Sequence, residues 1–292
     1  MLRNLTKNTV ENNQDNKVRQ LTLFLCKNMT IKDYLDKNYE ISLIALTYLL
    51  NTSKSGVLLR SSELLEPEIS KKLDTILKKY DDGYPLQYAL GEWEFYGLTF
   101  KVDERALIPR FETEIIVDYI INASWTKNNI LDIGTGTGAI ALSLGKNLNQ
   151  SNILASDIKD EALSLAKENK ERLNISNVSF IKSDLFKEIF GKFDIIISNP
   201  PYINETDYDS LDKRLYYEPK SALFSEENGL YFYKRIVREA KNYLIDGGRL
   251  VFEIGYDQKK SLFNLLNEFD FKNIECIKDY NNFDRFIIAE KG

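Results

Sequence analysis

The sequence predicts an α/β fold in which a parallel sheet, covered by helices on both faces, follows a small helical bundle and a β-hairpin. From residue 112 onward, short and mostly apolar runs alternate with stretches of helical periodicity. The strand-like runs lie at 130–133, 153–155, 178–181 and 195–197. Runs that lack a regular alternation of polar residues are typical of parallel strands buried on both faces.

The extension before the bundle, residues 1–28, is rich in asparagine and mixed in charge, and we expect it to be poorly ordered. Its apolar run is far shorter than the ~20 residues of a membrane-spanning helix. Glu11 and Asp15 interrupt the positive start that a signal peptide needs. Met29 is the only methionine besides Met1, which makes it a candidate start of translation.

The bundle is predicted over residues 29–82. Thr30 and Asp33 have the spacing of a capping box, and a later apolar repeat at i, i+4, i+7, i+8 and i+11 predicts a further helix. Residues 83–106 combine turn-forming glycines and a proline with strand-forming aromatic residues, which predicts the connecting hairpin. The sheet domain is predicted to cover 107–292.

The composition excludes several classes of enzyme. The chain has 292 residues and no histidine, so it has no Ser-His-Asp triad, no Cys-His dyad and no histidine ligand for a metal. Cys26 and Cys276 are too few for a four-cysteine zinc site or a disulfide framework, which favours a reducing, cytoplasmic setting. With 39 Lys+Arg against 44 Asp+Glu, the net charge of −5 does not favour tight binding to nucleic acid.

A glycine-rich turn follows the first strand of the predicted sheet and precedes a helix. It consists of Gly134, Thr135, Gly136, Thr137 and Gly138. Glycines let a backbone approach a ligand closely, and the next helix offers the N–H groups of its first turn. The turn also fits the dinucleotide pattern G-x-G-x-x-G/A, and Asp157 follows at the spacing of a ribose-binding acid. On this turn alone, a nicotinamide enzyme and an S-adenosylmethionine enzyme both remain open.

Acidic residues end the next two strands of the pattern. A carboxylate at Asp157 can accept hydrogen bonds from two ribose hydroxyls, and one at Asp184 can accept from the amino group of adenine. Leu185 and Phe186 follow Asp184 and can contact the adenine ring. Asp132, Asp157 and Asp184 are 25 and 27 residues apart, so successive βα units are predicted to bring these acids to one edge of the sheet.

The last of these strand runs is followed by Asn199-Pro200-Pro201-Tyr202. Consecutive prolines fix φ and remove two N–H donors, so the carbonyls point in set directions. The Asn199 side-chain oxygen and the Pro200 carbonyl can accept both N–H bonds of a planar amide or amino group, on which Tyr202 can stack. Such acceptors suit methylation of an sp² nitrogen. They predict Asn199, Pro200 and Tyr202 as catalytic residues, with all four residues in the substrate site.

Together these residues resemble a class I S-adenosylmethionine-dependent methyltransferase. More narrowly, the chain from Met29 to its end resembles the peptide chain release factor glutamine N5-methyltransferases, the HemK/PrmC family. Besides the two motifs above, the resemblance rests on blocks at 83–91, 107–114, 217–223 and 247–255. One departure is Phe111, which stands where the family commonly has a second proline.

The resemblance implies a Rossmann-like catalytic domain joined by a β-hairpin to a small helical domain. It implies S-adenosyl-L-methionine as the cofactor, with the glycine turn at its methionine part, Asp157 at the ribose, and Asp184 and Leu185 at the adenine. Asn199 is expected to adjoin both cofactor and substrate. The implied methyl acceptor is the glutamine of the Gly-Gly-Gln loop of class 1 peptide chain release factors. We expect no metal, no membrane and no stable binding of nucleic acid.

Two other enzymes remain as alternatives. A nucleic-acid adenine N6-methyltransferase would use the same motif, because the exocyclic amine of adenine is also a planar NH₂ group. The acidic net charge and the lack of a basic recognition domain count against it. A nicotinamide oxidoreductase would explain the glycine turn but would leave the Asn-Pro-Pro-Tyr motif without a task.

Overall fold

The structure, a computed structural model, describes residues 29–292, so the extension predicted at 1–28 lies outside the described residues. The chain divides into two compact units, one that ends at Asp82 and one that covers Gly83–Gly292. No helix in the described part of the chain is long and apolar enough to cross a membrane. The finer boundaries predicted for the bundle, the hairpin and the sheet domain stay predictions.

The first unit is helical over its described residues. Its helices are α1 (Ile31–Lys37), α2 (Tyr39–Leu49), α3 (Lys54–Leu59) and α4 (Pro67–Asp81). The predicted capping box is confirmed at the start of α1. The Thr30 hydroxyl accepts the Asp33 N–H at 3.2 Å, and the Asp33 carboxylate accepts the Thr30 N–H at 2.8 Å. Two backbone donors that a helix start would leave unpaired are thus satisfied.

The second unit begins with α5 (Leu86–Leu90) and the antiparallel strands β1 (Glu92–Phe95) and β2 (Leu98–Lys101). Within the range predicted for the connecting hairpin, residues 83–106, the paired strands cover 92–101 and α5 precedes them. Pro85 precedes α5, and Gly91 ends it with φ of +77°, a left-handed conformation that glycine adopts without strain. Because proline and glycine also form turns, the sequence pattern alone does not reveal this helix.

Helices and strands alternate through most of the second unit. In chain order the elements are α6 (Glu114–Asn122), β3 (Asn129–Ile133), α7 (Ala139–Asn147), β4 (Asn152–Asp157), α8 (Asp160–Leu173), β5 (Val178–Lys182), β6 (Phe193–Ser198), α9 (Glu205–Tyr208), α10 (Lys220–Leu223), α11 (Tyr231–Ala240), β7 (Leu244–Glu253), α12 (Lys259–Glu268), β8 (Phe271–Lys278) and β9 (Asp284–Lys291). Short helical turns lie at Phe111–Thr113, Lys213–Tyr217 and Glu226–Gly229.

Seven strands form one sheet in the order β5-β4-β3-β6-β7-β9-β8. The first five are parallel, as predicted, whereas β9 pairs antiparallel with both β7 and β8. A short turn joins β8 to β9, and such a turn can join only antiparallel strands. The predicted α/β fold class is confirmed, with a mixed rather than a purely parallel sheet.

Two apolar clusters cover the two faces of this sheet. Along β6, Ile195 and Ile197 belong to the cluster that contains α6 and α7, whereas Ile196 belongs to the cluster that contains α11 and α12. Successive side chains of a strand point to opposite faces, so an apolar run is buried on both. The buried strands hold their carboxyl ends in fixed positions, and polar loops leave the sheet there.

Candidate active site

The carboxyl ends of the parallel strands bring the predicted site residues together. Ile133 of β3 pairs with Ser198 of β6, and the Ser198 hydroxyl donates to the Ile133 carbonyl at 2.7 Å. Gly134 and Asn199, the next residues on these two strands, therefore leave the sheet side by side. Asp157 ends β4, the neighbour of β3 on its other side. The glycine turn thus lies between the Asp157 carboxylate and the Asn-Pro-Pro-Tyr motif.

The glycine turn has the backbone conformation that its composition predicts. Gly134 and Gly136 have φ of +75° and +57°, in the left-handed region that other residues adopt only at a cost. A Cβ at Gly134 would meet no atom within 4 Å, so open space adjoins its backbone. At Gly138 a Cβ would lie 3.0 Å from Leu142 and 3.2 Å from Ala166. Glycine at 138 therefore serves the packing of α7.

A cavity of about 430 Å³ lies at these strand ends, a volume typical of sites for small molecules. The predicted residues that line it are Gly134, Thr135, Gly136, Thr137, Asp157, Asp184, Leu185, Asn199, Pro200 and Pro201. Gly138 and Tyr202 do not line it. The apolar side chains of Ile158, Tyr231 and Phe232 form part of its wall.

Asp157 holds the glycine turn while lining the cavity. Its Oδ2 accepts the Gly136 N–H at 3.0 Å, and its Oδ1 accepts the Lys159 N–H at 3.0 Å. Burial raises the pKa of this carboxyl, and these backbone hydrogen bonds oppose the rise. Each carboxylate oxygen has a further acceptor position, so Asp157 can still accept hydrogen bonds from the hydroxyls of a ligand.

Asp184 is held by two cations. Its Oδ2 lies 2.8 Å from Lys187 Nζ, and its Oδ1 lies 2.9 Å from Arg235 Nη2. The hydrogen bonds from Lys187 and Arg235 lower the pKa of the Asp184 carboxyl, which is therefore ionised at neutral pH. The Arg235 guanidinium also lies over the Tyr231 ring, 5.5 Å from its centre. Sequence reasoning missed Arg235, because no local pattern relates it to Asp184.

Asn199, Pro200 and Pro201 form one wall of the cavity. No hydrogen bond between residues 29–292 engages the Asn199 side chain, so its amide group is available to a ligand. Tyr202 instead packs against the apolar cluster of α11 and α12. Burial, and then the charge of Glu253, raises the pKa of Tyr202 to about 12. The stacking role predicted for Tyr202 stays a prediction.

An ion pair between a partly exposed arginine and a buried glutamate joins two segments that line the cavity. Arg110 Nη2 lies 2.6 Å from Glu218 Oε1, and the other oxygen of Glu218 accepts the Ile108 N–H at 2.9 Å. Both residues lie in blocks that carry the family resemblance, but sequence reasoning assigned neither of them a role. The one signal in the sequence is the opposite charge of two residues that are 108 positions apart.

Two further carboxyls are buried near the strand ends. Asp132 accepts a hydrogen bond from the Thr135 hydroxyl at 2.6 Å, whereas its other oxygen has no hydrogen-bond partner among the described residues. Glu253 accepts from the Thr113 hydroxyl at 2.5 Å. Burial raises the pKa of each carboxyl to about 7. Both groups are therefore partly protonated at neutral pH.

Asp132→Asn is expected to remove part of the pH dependence of stability. The folded protein keeps the Asp132 proton up to about pH 7, whereas the unfolded chain releases it near the ordinary value of 3.8. The stabilising contribution of this proton is therefore present at low pH and lost as the pH rises through about 7. As the pH rises between these two values, the free energy of unfolding of the wild type should fall relative to that of the variant, by up to ~1.4 kcal/mol per pH unit.

Urea titrations of both proteins at several pH values between about 4 and 8 measure this difference. A difference in the free energy of unfolding that stays constant across this range would contradict the assignment.

Comparisons with known proteins bear on what this cavity does. A family model described as methyltransferase small domain matches residues 111–286. The chain is 42% identical over 274 residues to the release factor glutamine methyltransferase of Fusobacterium nucleatum subsp. nucleatum, covering 92% of this chain and 76% of the relative. It is 44% identical over 221 residues to the protein of the same name from Lactococcus lactis subsp. lactis, covering 74% of this chain and 81% of the relative.

A solved structure shares the fold. A methyltransferase from Pyrococcus furiosus aligns with a TM-score of 0.53 and 23% identity, covering 76% of this chain and 99% of that one. At this level of identity, the likeness supports the α/β fold alone.

Proposed function

The chain belongs to the release factor glutamine methyltransferase family, and on this premise we propose that it transfers a methyl group from S-adenosyl-L-methionine to glutamine N5 in class 1 peptide chain release factors. The acceptor is the side-chain amide in their Gly-Gly-Gln loop. One observation carries the proposal: Ile133 pairs with Ser198, so the start of the glycine turn and the first three residues of the Asn-Pro-Pro-Tyr motif lie side by side on one cavity. A methyl donor and a planar amide can therefore meet there.

The cavity residues fit S-adenosylmethionine. Open space beside the Gly134 backbone allows the methionine part to approach closely. Asp157 keeps acceptor positions for the ribose hydroxyls, and the ionised Asp184 keeps them for the adenine amino group. Leu185 and Ile158 offer apolar contact to the adenine ring. The cofactor supplies an electrophilic methyl group on a sulfonium centre.

Asn199 and Pro200 provide the acceptors for the substrate amide. The Asn199 side-chain oxygen accepts one N–H of the glutamine amide and the Pro200 carbonyl accepts the other. Amide resonance, whose rotation barrier is ~18–20 kcal/mol, keeps the nitrogen lone pair delocalised. Holding both N–H groups keeps the nitrogen in place while its lone pair is turned toward the methyl group. The nitrogen gains the methyl group as the sulfur–carbon bond breaks with its electron pair left on sulfur, and it releases one proton to water.

This arrangement explains how a chain without histidine can catalyse the transfer. In other enzymes, one preorganised hydrogen-bonding group contributes ~2.7–4 kcal/mol to the lowering of the barrier. Two neutral acceptors and good alignment can therefore supply much of the rate enhancement without a base that titrates near neutral pH. The nicotinamide alternative does not fit a chain of the methyltransferase family.

Parallel assays test the proposal. The full chain is supplied with labelled S-adenosylmethionine and with a release factor, DNA or tRNA, and methyl incorporation is measured for each. We expect incorporation into the release factor only. Incorporation into DNA or tRNA without incorporation into the release factor would overturn the proposal and favour the adenine N6-methyltransferase.

A thermal shift with each cofactor provides the control for the cofactor assignment. A ligand that binds only the folded state raises its stability by RT ln(1 + [L]/Kd). S-adenosylmethionine should therefore raise the melting temperature, whereas NAD should not.

A further inference from the structure

Glu218 is a buried carboxylate to which the proposed function gives no task. Its side chain is 1% exposed, and that of Arg110 is 29% exposed. Its two oxygens have different partners, because Oε1 accepts from the Arg110 guanidinium at 2.6 Å and Oε2 accepts the Ile108 N–H at 2.9 Å. Burying a carboxylate is costly unless it is paired and hydrogen-bonded, and this one is both. Glu218 therefore binds both the Ile108 backbone and the Arg110 side chain, which belong to the same loop.

Glu218 connects two segments of the cavity wall. The loop that it holds, residues 107–110, lines the cavity, and so does the chain that follows Glu218. That following chain is tied to the end of the Asn-Pro-Pro-Tyr motif. The Ile203 N–H donates to the Leu223 carbonyl at 2.9 Å, and the Ser225 N–H donates to the Ile203 carbonyl at 2.9 Å. One carboxylate thus links the 107–110 loop to the proposed amide site.

The 107–110 loop lies near the glycine turn and shares the cavity wall with Asn199. At its start, the Ala106 Cβ lies 3.7 Å from the position that a Cβ would take at Gly136. At its end, the Arg110 charge is close enough to oppose the rise that burial causes in the pKa of Tyr202. A shift of this loop would therefore change the shape of the cavity that the loop and Asn199 both line.

Glu218 also balances a positive charge at the cavity. The proposed cofactor carries a sulfonium cation, and positive charge develops on the amide nitrogen as it gains the methyl group. An unpaired Arg110 guanidinium would repel both charges. Paired with Glu218, the guanidinium adds no net charge to this part of the wall.

We propose that Glu218 is a positioning residue for methyl transfer: by holding Ile108 and Arg110, it fixes the 107–110 loop in the wall of the cavity that Asn199 also lines, so that the substrate amide is aligned with the cofactor. The inference rests on the proposed function. Glu218 acts through the loop and touches neither substrate nor cofactor.

Glu218→Gln tests the proposal. Glutamine keeps the size of the side chain and can still accept the Ile108 N–H, but it turns an NH₂ group toward the donors of Arg110. We expect kcat to fall by about 10- to 100-fold, because small misplacements of reacting groups in active sites cause losses of this size. Because the unpaired Arg110 charge also repels the sulfonium, the Kd for S-adenosylmethionine should rise, but by a smaller factor than the fall in kcat.

Two further variants complete the design. Glu227→Gln removes a carboxylate whose side chain is 47% exposed and which pairs with Lys234, so this matched change should leave kcat unchanged. Arg110→Lys keeps the charge pair but loses the forked donor, so we expect a smaller fall in kcat than in Glu218→Gln. If Glu218→Gln fails to fold, Arg110→Lys still tests the proposal, because a fall in its kcat is expected.

Hydrogen exchange gives a readout that needs no turnover. Glu218→Gln should speed exchange at the backbone N–H groups of residues 107–110, and Glu227→Gln should not. In an Arg110→Gln/Glu218→Gln double variant, the loss of kcat should not exceed the larger of the losses measured for Arg110→Gln alone and Glu218→Gln alone, because both changes break one pair.

Unchanged kcat or unchanged exchange in Glu218→Gln would overturn the positioning role, as would single-variant losses that multiply in the double variant. Failure of the wild type to methylate glutamine would refute the proposed function instead. In that case the exchange measurement still decides whether Glu218 holds the loop.

Discussion

Asn199→Ala is expected to lower kcat for glutamine methylation by about 10²- to 10³-fold, the loss seen when one preorganised hydrogen-bonding group is removed from other active sites. The change deletes one of the two acceptors proposed for the substrate amide and leaves the glycine turn and Asp157 intact. The Kd for S-adenosylmethionine should therefore change little. Steady-state kinetics with a release factor, combined with calorimetry of cofactor binding, measure the two effects separately.

A matched asparagine provides the control for this variant. Asn267 is exposed on α12, and its side chain donates only to the Phe263 carbonyl within the described residues, at 2.8 Å. Asn267→Ala should leave both kcat and Kd unchanged. Near-normal turnover by Asn199→Ala would contradict the role assigned to Asn199. A loss of cofactor affinity as large as the fall in kcat would instead assign Asn199 to the binding of the cofactor.

Asp157→Ala is expected to weaken the binding of S-adenosylmethionine. The proposed hydrogen bonds from the ribose hydroxyls to this carboxylate are charge-assisted, and such bonds contribute about 1.5–3 kcal/mol. Their loss corresponds to an increase in Kd of roughly 10- to 150-fold. Isothermal titration calorimetry with S-adenosylmethionine measures this change directly.

Two further variants serve as comparisons for Asp157→Ala. Asp157→Asn keeps one acceptor oxygen, so its Kd should lie between those of the wild type and Asp157→Ala. Asp160→Ala removes a nearby exposed carboxylate that pairs with Lys182, and it should leave Kd unchanged. An unchanged Kd in Asp157→Ala would show that the ribose does not depend on this carboxylate.

The local patterns of the sequence predict the shared edge of the site well. Apolar runs such as Ile195–Ile197 fix which segments are buried parallel strands, and the residues that follow such strands must leave the sheet at the same edge. Asp157 and the start of the glycine turn therefore reach the cavity, as does Asn199, because each follows or ends a strand. Glycine at 134 and 136 agrees with the positive φ that the turn adopts.

Features that depend on tertiary packing could not be predicted in this way. Gly138 belongs to the same motif as Gly134, but a Cβ at this position would crowd Leu142 and Ala166, which only the folded arrangement of α7 and α8 decides. Tyr202 directly follows cavity-lining residues in the sequence, yet its side chain packs against an apolar cluster.

Long-range charge pairs escape sequence reasoning for the same reason. The pairing of Arg110 with Glu218 joins residues 108 positions apart, and that of Arg235 with Asp184 joins residues 51 positions apart. A hydrophobic period carries no information about such pairs, because it reports only which face of an element is buried.

The central claim is that the cavity holds a glutamine amide against Asn199 and Pro200 for methylation. The most direct measurement is mass-spectrometric mapping of the methyl group after a release factor is incubated with S-adenosylmethionine and either the wild type or Asn199→Ala. We predict a single methyl group on the side-chain amide of the Gly-Gly-Gln glutamine with the wild type, and very little with the variant. A methyl group on another residue, or equal methylation of that glutamine by both proteins, would contradict the claim.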